Sequence, residues 1–172
     1  MVWVAPDVAR IDEPFVGDER AMLEGFLDWH RATLLHKCAG LMGELLARRA
    51  VPPSRLSLLG LVRHAADVER MWFRCRFAGE SVGPLYARPD ALDAAFEEVA
   101  PERAEGDIAA LVGEWVACRE AVASASLDAT FVSERWGTMS LRWVFLHMIR
   151  EYALHNGHAD LLRESIDGAT DS

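Results

Sequence analysis

Apolar residues recur every three to four positions in four long stretches of this chain, which is the period of one buried helical face. The pattern predicts helices over about 18–37, 57–77, 104–124 and 140–168. In the first, Leu23, Phe26, Leu27, Leu34 and Leu35 form the stripe, and "GDER" supplies a cap and an acidic first turn. In the second, Leu58, Leu61, Val62, Ala65, Val68, Glu69 and Trp72 fall inward, while Arg63, Asp67, Arg70 and Arg74 form the solvated side. Ile108, Leu111, Val112, Trp115 and Val122 are the core of the third. The fourth starts at a Ser140 cap and stops near Gly168. Short helical turns are expected around "LMGELLARRA" and before Pro101, and "VPPSR" breaks any helix. No alternating run flanks a hairpin turn signal, so no strand is predicted, and "DATFVSERWGTM" reads as a crossing segment.

Four amphipathic helices define an all-α four-helix bundle with connections of varied length. At 172 residues, the chain is expected to be one domain with its core over about 18–168. The formal net charge of −9, without a dense basic patch, argues against nucleic acid and anionic membranes as partners. With no secretory signal and no membrane-length apolar run, a cytoplasmic location is expected. Cys38, Cys75 and Cys118 fit neither a zinc motif nor a disulfide framework and read as reduced thiols. Trp3 and Trp29 stand where a homodimer interface would use them.

Chemistry enters with the polar residues on the wrong face. At about 100° per residue, His147, Glu151, His155 and His158 share an arc of roughly 80° on the fourth helix, bordered by Leu141, Val144, Met148 and Leu162. His64 lies beside the inward line of the second helix. Buried imidazoles and carboxylates must be paired, hydrogen-bonded or bound to a metal. Glu-x-x-x-His facing a His on another helix suits a divalent ion with open positions. A Glu–His hydrogen-bonded core network is the rival. A ferritin-like di-iron centre is excluded, because neither the second nor the fourth helix carries Glu-x-x-His. His30 and His36 read as surface or boundary residues.

The segments "LSLLGLVRHAADVERMWF" and "SLRWVFLHMIREYALHNGHADLLRESIDG", and more weakly "LDWHRATLLHKCAGL", resemble the DinB-like superfamily. That group includes mycothiol-dependent maleylpyruvate isomerase and bacillithiol-transferase-like proteins. The resemblance implies a four-helix bundle with a metal at one end, held by a His of the second helix and two residues four apart on the fourth. The matching positions are His64, Glu151 and His155, with zinc foremost and nickel, iron or manganese as alternatives. Glu151 stands where many members carry His, and His158 where many carry an amide.

The resemblance further implies a metal-dependent thiol S-transferase or isomerase-like enzyme. Its partners would be a low-molecular-weight thiol, with mycothiol favoured by the Ala- and Arg-rich composition, and an electrophilic substrate. His158 is the expected general base. Cys75 lies roughly three turns from His64 and should not reach the same ion. The alternative is a non-catalytic, stress-related metal-binding bundle that holds a small ligand or a protein partner. Glu69 is expected to pair with Arg142 or with a ligand His.

Overall fold

A computed structural model describes residues 3–170. It is mostly helical. Helix α1 spans Glu19–His36, α2 Gly43–Leu46, α3 Leu58–Glu69, α4 Ala94–Glu97, α5 Ala104–Val122 and α6 Leu141–Asp167. The caps follow from the sequence. The Asp18 carboxylate accepts from the Ala21 N–H at 2.9 Å, Ser57 Oγ from Gly60 at 3.1 Å, and Ser140 Oγ from Trp143 at 3.2 Å. Gly168, at φ +78°, closes α6 by donating its N–H to the Glu164 carbonyl.

Two features depart from the expected elements. After Glu69 the second long helix widens into a π-helical segment, Arg70–Phe77, whose hydrogen bonds span five residues rather than four. The crossing segment contains a hairpin in which β1 (Thr130–Ser133) pairs antiparallel with β2 (Gly137–Ser140), Phe131 opposite Met139. Gly137 at φ +74° completes its turn. Each strand has four residues, too few for alternation to show.

Helix α1 packs on α6, and α3 packs on both α5 and α6. Leu34, Leu58, Leu61, Leu111, Leu141 and Met148 are among the fully buried side chains between them. A polar chain also runs through this interior. The Arg31 guanidinium of α1 donates from Nε and Nη2 to the two oxygens of Glu69 on α3, at 2.7 and 2.6 Å. The Tyr152 hydroxyl of α6 donates to Glu69 Oε1 at 3.0 Å, and the Trp115 indole of α5 donates to Tyr152 at 3.0 Å. Glu69 therefore pairs with neither Arg142 nor a candidate ligand. Arg142 is held by Glu19 and Asp128 on the surface.

The side of α3 expected to be solvated is an interface. Arg63 is 3% exposed, lies 4.1 Å from the Tyr86 ring centroid, and donates to the Ala94 and Ala95 carbonyls and to Asp107. Asp67 accepts backbone N–H groups of Leu85, Tyr86 and Ala87, and Arg70 and Arg74 grip Glu114 of α5. The connection over residues 82–96 thus covers this face. Val112, expected in the core of α5, is exposed.

Candidate metal centre

Helices α3 and α6 cross with His64 opposite Glu151 and His155. One ligand-capable atom from each lies within 4.8 Å of the others. The His64 and His155 rings stand 4.8 Å apart, centroid to centroid, nearly edge to face. His155 Nε2 is 3.7 Å from one oxygen of Glu151, and His147 Nε2 is 3.8 Å from the other. Both separations exceed a hydrogen bond, so the carboxylate is left with lone pairs facing the cluster. Two donors sharing an ion at about 2.1 Å from each stand at most about 4.2 Å apart. The spacings here, up to 4.8 Å, are slightly wider than that limit.

Electrostatics suit the same role. Burial, followed by the neighbouring His155, pushes His64 down to about 4. Burial and then His158 lower His155. Both rings are neutral at pH 7, the form that ligates metal. Two neutral imidazoles and one carboxylate fit zinc, nickel, iron or manganese, and three protein donors leave open positions.

The surroundings hold these groups in place. Phe96 lies 4.8 Å from the His64 ring. Gly60, one turn earlier on α3, allows this approach, since a Cβ there would stand 3.3 Å from Phe96 Cδ1. On α6, His158 is exposed, and its Nδ1 is 3.4 Å from Nδ1 of His155. An Nδ1–H of His155 donating to His158 would leave the Nε2 lone pair of His155 aimed toward Glu151. His158 therefore stands beside the three-residue cluster, not within it.

His147, on the same stripe, is also outside the cluster. Its ring stacks on Trp143 at 4.7 Å with 10° between the planes and meets Trp72 edge-on at 4.7 Å. Sequence reasoning had no signal for the Phe96 cover or for this indole sandwich, because both depend on side chains from non-adjacent segments. Cys75 lines a neighbouring cavity and donates to the Val82 carbonyl at 3.2 Å, away from the cluster.

Helices crossing to bring two histidines and a glutamate together define a candidate metal-binding helical protein. The mycothiol-S-transferase family model matches residues 22–168, and the chain belongs to that family. This places it in the DinB-like superfamily, among mycothiol-related thiol transferases. No curated protein and no solved structure matches the chain. No described helix is long and apolar enough to cross a membrane.

Proposed function

We propose that this protein is a metal-dependent mycothiol S-transferase built as a four-helix bundle of α1, α3 with its π-helical extension, α5 and α6. His64, Glu151 and His155 hold the divalent ion, zinc foremost. The observation that carries this reading is the convergence of those three donors within 4.8 Å, in a chain whose family is the mycothiol-S-transferases. A bound divalent ion supplies a lowered pKa to a coordinated thiol, which otherwise titrates near 8.5 and is mostly protonated at neutral pH.

The chain's own residues supply the rest. Glu151 brings one negative charge between two neutral rings. His155 is oriented through its second nitrogen by His158. With Nδ1 facing His155, the exposed His158 in its neutral form carries its proton on Nε2; it takes the thiol proton at Nδ1 as that 3.4 Å contact opens and passes one to water from Nε2. Phe96 packs against the His64 ring and fixes its orientation. No step requires the chain's cysteines, because burial pushes Cys38 up to about 12 and raises Cys75 and Cys118 as well.

The test is elemental analysis of protein purified without an affinity tag, paired with conjugation of mycothiol to an activated aryl halide. Wild type should carry near one equivalent of metal, and His64→Ala and His155→Ala should lose both metal and turnover. His158→Ala should keep the metal and lose about 10²-fold in kcat. Wild type that stays metal-free and cannot be loaded would sink the reading.

A further inference from the structure

Beside His64, on the far side from Glu151, lies a cavity of about 380 Å³. Its inner wall is one face of α3 and the π-helical segment: His64, Val68, Met71 and Cys75. Its outer wall is the connection, through Val82, Pro84, Leu92 and Phe96. The volume is at the small end of the range for small-molecule sites. His64 belongs both to this cavity and to the metal cluster, so an occupant would lie next to the reacting sulfur.

Two of the wall's charged groups, Asp67 and Arg70, are already engaged with the protein. The Asp67 carboxylate accepts from the Leu85 N–H at 2.5 Å and the Ala87 N–H at 2.9 Å. Arg70 donates to Glu114 at 2.5 Å and to the Gly83 carbonyl at 3.0 Å. What remains facing inward is mostly aliphatic, aromatic and sulfur surface, with the Asp93 carboxylate and the His64 ring as its polar exceptions. A low-molecular-weight thiol that stays dissolved in water carries a polar body, and most of its hydrogen bonds would go unmet here. Leu92, 76% exposed, sits on the connection that forms the outer wall.

We infer that this cavity takes the apolar carbon skeleton of the electrophilic acceptor, while the thiol's polar body stays on the solvent side near His158. This rests on the thiol-transfer reading. The acceptor class is uncharged and aromatic or aliphatic, with its electrophilic carbon at the His64 end. In the transfer, the thiolate sulfur forms a bond to that carbon as the leaving group departs with the bonding pair, and the thiol proton goes to His158. Specificity is then set by the connection over residues 82–96, not by the ligand triad.

The test reads occupancy through Cys75. Cys38 and Cys118 are 0% and 1% exposed, so Cys75 is the thiol that a reagent reaches. Wild type is alkylated with N-ethylmaleimide at mildly alkaline pH, with and without the unreactive probe 2-naphthol, and Cys75 labelling is followed by mass spectrometry. Saturating 2-naphthol should slow labelling at least fivefold. Ala87→Phe, which fills this cavity but not the second one that Cys75 borders, should abolish that protection. The same variant should raise the KM for an aryl halide relative to that for iodoacetamide by about tenfold.

Labelling unaffected by 2-naphthol, or protection that survives Ala87→Phe, would overturn the cavity assignment even in an active enzyme. Protection without any mycothiol turnover would instead defeat the transfer reading, and with it the identification of the occupant as an electrophile. The two failures are thereby told apart.

Discussion

His64 is a base that its surroundings keep unprotonated. In an unfolded chain an imidazole titrates near 6.5, whereas burial and the His155 ring hold this one at about 4. Between those values the unfolded chain binds a proton that the folded chain refuses. Stability of the metal-free protein therefore rises with pH across that window and is lost as pH falls from 6.5 toward 4. The contribution is about 2–3 kcal/mol. Denaturant unfolding at pH 4.5 and pH 7 should show this loss in wild type and a flatter profile in His64→Ala. Equal slopes in both proteins would place the proton uptake elsewhere. Spacing put His147, Glu151, His155 and His158 on one stripe of the helix, the family resemblance singled out Glu151 and His155 with His64, and the structure brings those three side chains together. The burial of Arg63 was not legible in the sequence. Its helical phase reads as solvated, and only the chain 31 residues later, at Ala94, supplies the carbonyls that bury it.

At the level of elements, α6 carries most of the site and depends on how it begins. Ser140 ends β2 and caps α6 with one hydroxyl, so the hairpin sets where the helix starts. Ser140→Ala should cost about 1 kcal/mol in stability. Elemental analysis should find its metal content unchanged, because Glu151 lies about three turns downstream. A loss of metal would mean that fraying reaches the ligands. The helix ends were legible because caps are short-range chemistry. The change to π-helical turns after Glu69 was not, since residue preferences for the two helix types do not differ enough to show. The hairpin escaped notice for a related reason. "FVSERWG" carries no Asn-Gly or Asp-Gly turn, and its four-residue strands leave little pattern to detect.

Across the whole molecule, Arg31, Glu69, Tyr152 and Trp115 link α1, α3, α6 and α5 through one buried chain of hydrogen bonds. Removing one charge leaves the other short of its buried partner. Glu69→Leu should destabilise by about 3 kcal/mol, because the buried Arg31 guanidinium loses both Glu69 oxygens and keeps only the more exposed Asp28. Arg31→Met/Glu69→Leu should cost clearly less than the single change, which equilibrium unfolding of the three proteins would show. If the double variant is the worse, the pair contributes more than its desolvation costs. The long helices were readable from periodicity, but this partnership was not. An inward Glu announces that it needs a cation without naming which one, and Arg31 is 38 residues away.

Trp72, the residue three beyond Glu69, stacks on Trp136 of the hairpin turn with centroids 5.8 Å apart and meets Trp143 of α6 at 5.0 Å. Indoles this close share their electronic excitations, which circular dichroism registers as paired bands of opposite sign. Detachment of the hairpin would erase the Trp136 share of that signal and leave the Trp72–Trp143 share intact. Docking of a four-residue strand pair can thus be followed by its own absorption, separately from melting of the helices and with no attached dye.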